Sequence, residues 1–271
     1  MKLTWKKRIL SAAACTVICA AFLLTGCAGG KVGETDRAAG TADAAAVTAY
    51  GKPADFTVPL TDGGSFSLSG AVEENEAVLI VLFDPADSAS DPASSRTLSL
   101  VGQFCGNTDR AAGLGLSVGD PAAIDGAGLP LGNAAGTGLE RYAEGGLPAV
   151  LTVDRYGYLV MVNRVPPADA EEVERLTAPF LGDGYVPPEE CLYEIRTDPP
   201  VSGAVFAFCT DQTCVPAPTD AQGIAVFEGT PGDYTVKLLS APEGVVVSLP
   251  EGLSVGPHAE RILVTVTEAG S

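Results

Sequence analysis

The sequence predicts an α/β domain followed by a small all-β sandwich. Over residues 49–185, short continuous apolar runs alternate with segments of helical period, the pattern of strands buried beneath helices. Beyond Gly182 the helical period disappears, and β-rich runs recur between turn residues. A basic, then apolar, N-terminus marks the whole chain for export.

Lys2, Lys6, Lys7 and Arg8 precede an apolar run over residues 9–24 that is too short and too abruptly ended for a membrane span, so it reads as a signal peptide. The run closes on Leu24-Thr25-Gly26-Cys27, which resembles the bacterial lipobox, in which the cysteine becomes the lipidated first residue. Residues 1–27 are therefore expected to direct lipidation at Cys27 and to hold the protein on the extracytoplasmic face of the cell membrane. Each buried methylene of such a chain contributes about 0.8 kcal/mol. Removing residues 1–26 takes away four positive charges and no negative ones, moving the formal charge from −18 to −22. A surface so acidic excludes nucleic acid as a natural partner. Residues 28–48 are mainly Ala, Gly, Thr and charge, the composition of a flexible linker.

Ala77-Val78-Leu79-Ile80-Val81-Leu82-Phe83, ended by Asp84-Pro85, predicts a strand buried on both faces. Residues 95–104 predict a helix, with Leu98, Val101 and Phe104 on one side. Residues 106–146 hold eleven glycines, which predicts long loops. Gly113-Leu114-Gly115 and Gly126-Ala127-Gly128 lie there, but neither completes the GxGxxG spacing of a phosphate loop. Residues 149–153 and 158–162 predict a strand and its hairpin partner around the turn Asp154-Arg155-Tyr156-Gly157. Asp169 with Glu172 forms a capping-box pattern ahead of Val173, Leu176 and Phe180 at helical spacing. Pro187 and Pro188 mark a hinge, and residues 190–268 carry the runs Val205-Phe206-Ala207-Phe208, Ile224-Ala225-Val226-Phe227, Tyr234-Thr235-Val236-Lys237-Leu238 and Ile262-Leu263-Val264-Thr265-Val266.

Residues 51–182 resemble the thioredoxin-like redoxins, the lineage that includes the TlpA/ResA-type tethered proteins and the peroxiredoxins of AhpC/TSA type. The likeness lies in Gly51-Lys52-Pro53-Ala54-Asp55-Phe56 with Asp62-Gly63-Gly64-Ser65-Phe66 as an opening hairpin, the strand ending at Phe83, and Gly146-Leu147-Pro148-Ala149-Val150-Leu151. The resemblance implies a cis-proline at Pro148. It also implies a reactive cysteine in the loop after Phe83, where a helix N-terminus lowers the thiol pKa. This chain departs from the family there. The loop reads Asp84-Pro85-Ala86-Asp87-Ser88-Ala89-Ser90-Asp91-Pro92, without sulfur, and Asp84, Pro85, Ser88 and Asp91 stand as its degenerate redox positions. Serine does not replace a thiolate without a base, and His258 is the only histidine of the chain. The family's cis-proline loop presents backbone groups to extended polypeptide, so the resemblance leaves peptide binding, or only a shaping role, for Pro148.

Residues 190–268 are similar to the prealbumin-like sandwiches of CnaB or SpaA type, through Thr219-Asp220-Ala221-Gln222-Gly223, Gly232-Asp233-Tyr234 and Ala241-Pro242-Glu243-Gly244. Some members carry a Lys-to-Asn isopeptide bond. Neither the first nor the last strand region supplies the pair, so none is expected.

Of seven cysteines, Cys15 and Cys19 belong to the signal and Cys27 to the anchor. Cys209 and Cys214 flank a four-residue turn and read as a structural disulfide, with a relocated redox pair as the rival. Their CxxxxC spacing is loose for zinc, and no metal or other cofactor is expected. Cys105 reads as a buried thiol at a helix end, and Cys191 either pairs with it or stays free. The leading functional expectation is a redox-inactive binding or scaffolding module that meets an extended polypeptide or another exported protein. The alternative is an extracytoplasmic thiol-disulfide oxidoreductase or peroxidase-like protein using Cys209 and Cys214, or Cys105. A third arrangement supplies the catalytic cysteines from a partner chain.

Overall fold

A computed structural model describes residues 50–85, 92–119 and 128–268, all of them within one unit spanning Ala39–Ser271. Cys27, Ser88 and Asp91 lie outside the described residues. The chain opens with an antiparallel hairpin of β1 (Thr57–Pro59) and β2 (Ser65–Ser67). Helix α1 (Leu68–Glu74) follows at once, because the Ser67 side chain accepts from the Gly70 backbone N–H at 3.4 Å and caps the first turn.

Strand β3 (Ala77–Phe83) is buried along its whole length. It pairs in parallel with β4 (Ala111–Ser117) on one side and antiparallel with β6 (Ala149–Asp154) on the other. The connection from β3 to β4 is α2 (Pro92–Gly106), which extends past the 95–104 expected from the apolar spacing at both ends. Proline at the first helical position needs no N–H partner, and this accounts for the earlier start. Strand β5 (Leu131–Asn133) pairs with β4, and β7 (Leu159–Asn163) pairs antiparallel with β6. Helix α3 (Ala170–Thr177) starts on Asp169, whose carboxylate accepts from Glu172 N at 2.9 Å while Glu172 accepts from Ala168 N at 2.9 Å.

The glycine-rich region is not all loop. Gly113 and Gly115 lie in β4, where a Cβ would come within 2.9 Å of the Cys105 Sγ and of the Leu98 side chain respectively. Glycine is used there so that α2 can seat close against the sheet, and the strand forms despite its low propensity because tertiary packing outweighs it.

Residues beyond the two prolines form β8 (Cys191–Asp198), β9 (Val205–Cys209), β10 (Cys214–Pro218), β11 (Ile224–Gly229), β12 (Tyr234–Ser240), β13 (Val245–Ser248), β14 (Ser254–Val255) and β15 (Ala259–Glu268). Four of them make one sheet, in the order β10-β9-β12-β14. The others do not form a separate second sheet. Ala259 to Arg261 of β15 pair in parallel with β7, while β15 also pairs in parallel with β8 and antiparallel with β13. The result is one nine-stranded sheet in the order β11-β8-β15-β7-β6-β3-β4-β5, with β13 on β15. Hydrogen bonding thus runs unbroken past the expected 185–190 boundary.

Three apolar clusters fill the layers. Val78, Ile80 and Leu82 pack on one face of β3 with Leu68 of α1, and Leu79, Val81 and Phe83 pack on the other with Leu98, Val101 and Val173 of the two long helices. Between the four-stranded sheet and the β11-β8-β15 edge, Tyr193, Ile195, Phe206, Phe208 and Val264 form the third cluster. Its aromatic centre has Phe208 stacked on Phe227 at 4.9 Å and Tyr193 edge-on to Tyr234 at 5.2 Å. Among the described residues, no helix is long and apolar enough to cross a membrane.

Candidate functional site

The C-terminal end of β3 and the N-terminal end of β6 are neighbours, since Leu82 pairs with Ala149. The Leu147–Pro148 peptide bond is cis, and buried Pro148, which immediately precedes Ala149, lies near the end of β3. The resemblance read from the sequence implies a thiol at the helix N-terminus opposite such a proline. The sequence offers none there, and Ser94 and Thr97 occupy buried positions in the first turns of α2.

The other sulfur atoms lie elsewhere, each in a setting that disfavours a thiolate. Cys105 sits in the last turn of α2, thirteen residues from its start, which is about 20 Å at the helical rise. Burial pushes its thiol up to about 12. Cys191 is 1% exposed, and burial raises its thiol as well, although hydrogen bonds with Tyr50 and Tyr193 oppose the shift. Both remain unbridged. Cys209 and Cys214 form a disulfide across the β9–β10 hairpin, where they are directly paired, and a Thr210 N–H to Thr213 carbonyl bond of 2.8 Å closes the turn. No helix begins there to stabilise an anion.

A cluster of charges lies next to the cis-proline, where sequence reasoning placed no site. Arg164 follows β7 directly, and its Nε donates to Glu260 Oε1 at 2.9 Å. Its Nη1 donates to the Tyr142 carbonyl and, at 3.5 Å, to that of Gly146, two residues before Pro148. The second Glu260 oxygen is 3.0 Å from His258 Nε2, and the Tyr142 ring stands edge-on to the imidazole at 5.6 Å. Arg164, His258 and Glu260 are 8%, 2% and 1% exposed, so the ion pair acts in a low dielectric. A Cβ at Gly145 would fall 2.5 Å from Arg164 Cζ, so only glycine lets the chain pass over the guanidinium.

His258 looked solitary because its cluster closes over a long separation: Glu260 is two residues away, but Arg164 is 96 residues from Glu260. A usable signal was present in His258-Ala259-Glu260-Arg261, where polar residues at alternate positions enter a strand that is otherwise apolar on its inner face. No group of three or more His, Cys, Asp or Glu among the described residues is placed to hold a metal ion.

Among solved structures, the chain is similar to the exposed lipoprotein thioredoxin of Streptococcus pneumoniae, at 19% identity over 46% of this chain and 98% of that one, with a TM-score of 0.36. It is also similar to a thiol:disulfide interchange protein of the thioredoxin family from Chlorobium tepidum, at 19% identity over 49% of this chain and 97% of that one, with a TM-score of 0.38. A match to the Bacillus anthracis TIE protein, at 22% identity and a TM-score of 0.26, covers 30% of this chain and spans only 17% of that protein. No family model matches the chain, and no curated protein matches it. Each of these likenesses covers less than half of this chain.

Proposed function

We propose that this chain is a lipid-anchored extracytoplasmic protein whose redoxin-like half is redox-inactive and serves binding or scaffolding, with a prealbumin-like β-sandwich joined to it. One observation carries the reading: the loop between β3 and α2 contains no sulfur, while Cys105 and Cys191 are held as neutral thiols elsewhere and Cys209 is bridged to Cys214. A thiolate is the nucleophile of every thiol-disulfide or peroxide reaction on this scaffold, and a thiol at about 12 supplies almost none near neutral pH. The membrane anchor at Cys27 and the export of the chain rest on the leader sequence. What remains beside Pro148 is a binding geometry, namely a buried cis-proline loop backed by the Arg164–Glu260–His258 cluster.

The test is turnover. Insulin reduction with dithiothreitol and peroxide consumption with a thiol donor, measured on the full chain in detergent, should run at the rate of the blank. Turnover that disappears in Cys209→Ser, Cys214→Ser or Cys105→Ser would make the protein an oxidoreductase.

A further inference from the structure

A cleft of about 370 Å³ opens onto the charged cluster and is lined by Tyr142, Arg164, His258 and Glu260, and by the segment that leads through β14 into β15. We infer that this cleft is a site for an alkylammonium or guanidinium group, which His258 Nδ1 and the carboxylates of Glu144, Asp233 and Glu251 would recognise together. The inference rests on the reading of the chain as a binding module and names the chemistry of its ligand.

The charge of Arg164 is matched by Glu260, so it is not free to draw an anion into the cleft. The remaining Glu260 oxygen faces His258 Nε2 at 3.0 Å, and a carboxylate that accepts there keeps the ring proton on that nitrogen. Nδ1 is then a hydrogen-bond acceptor. It has no partner among the described residues, although the side chain is 2% exposed and lines the cleft. Nδ1 opens onto the cleft, where a ligand that donates to it takes the place of water. Gly256 keeps that edge of the ring uncovered: a Cβ there would lie 2.7 Å from His258 Cε1 and 3.1 Å from Nδ1.

Charge points the same way. Glu144, Asp233 and Glu251 are exposed residues lining the cleft. The one further cation there, Arg141, is turned onto its neighbour, with its guanidinium 4.8 Å from the centre of the Tyr142 ring and its Nη2 donating to Tyr142 Oη at 2.8 Å. A donor-bearing cation meets both an acceptor at the floor and negative charge at the walls. A carboxylate or phosphate would meet repulsion from the walls, and the Arg164 charge below is already matched by Glu260. A free amine and a basic side chain of a polypeptide both carry such a group, and the two sources share this chemistry.

His258 is the only histidine of the chain, so its ring resonances report on the site without assignment. The full chain in detergent is titrated with 1,5-diaminopentane, with an end-blocked Gly-Gly-Lys-Gly-Gly peptide, with its norleucine counterpart and with glutarate. Saturable movement of the imidazole signals by the diamine alone identifies a free amine as the source, and movement by the lysine peptide identifies a polypeptide. The norleucine peptide and glutarate should leave them unmoved. The Glu144→Gln/Asp233→Asn/Glu251→Gln variant, altered only at exposed positions, should bind about tenfold more weakly, and added salt should weaken wild-type binding. Unmoved signals with both cationic probes, equal affinity in the triple variant, or a preference for glutarate would each overturn the inference. These outcomes are independent of thiol turnover, which tests redox inactivity alone.

Discussion

At the scale of single residues, the fate of each cysteine and of Glu260 decides what the chain can do. A cysteine becomes a nucleophile when something stabilises its anion, and neither Cys105 nor Cys191 has more help than burial allows. Glu260 is the opposite case, a charge kept inside because Arg164 and His258 both face it. Replacing it by glutamine leaves the Arg164 guanidinium buried without a counter-ion, so Glu260→Gln should cost about 3 to 5 kcal/mol of stability in urea unfolding. A loss below about 1 kcal/mol would mean that solvent reaches the pair. The absence of sulfur after Phe83 and the cis-proline candidate at Pro148 were legible in the sequence, since each belongs to a contiguous motif. The Arg164–Glu260–His258 cluster was not, because only the pairing of β15 with β7 brings Arg164 to the other two.

At the scale of elements, Glu76 shows how the pieces are fastened. It stands just before β3, receives two hydrogen bonds from Arg110 at 3.0 and 2.7 Å, and accepts from Arg155 of the β6–β7 turn at 2.8 Å and from Gly182 N at 2.6 Å. These partners, Arg110 first, hold its carboxyl at about 2, below the usual carboxylate range. A depressed carboxyl contributes stability that is fully present above its unfolded value near 4.5 and is lost as pH falls toward 2. Wild-type protein should therefore be more stable than Glu76→Gln at pH 6, with the gap closing between pH 4.5 and 2. An equal gap at pH 6 and pH 2.5, in paired urea titrations, would show that the carboxyl has its ordinary affinity for protons. The buried run at β3 and the capping box at α3 were readable as elements because propensity and packing agree there. Strand β4 was hidden, since its glycines serve the approach of α2 and look locally like loop.

At the scale of the whole molecule, β15 joins two halves that the sequence presents as separate. Ala259 to Arg261 continue the sheet of β7, and the next residues of the same strand close the edge of β8. Alternation within β15 was visible, but which strands it would lie between was not, because parallel pairing over so long a separation leaves no local mark. The cleft, the cis-proline loop and the charged cluster all lie along this seam, so binding in the cleft and the packing of the two halves share residues. The central proposal is that no thiol among the described residues is activated. The most direct measurement of that is the rate of iodoacetamide alkylation of Cys105 and Cys191 in the native full chain between pH 6 and pH 10, followed peptide by peptide by mass spectrometry. Both sites should stay nearly unmodified until the protein is unfolded. A native cysteine that is alkylated rapidly at pH 7, with a midpoint well below 9, would contradict the account.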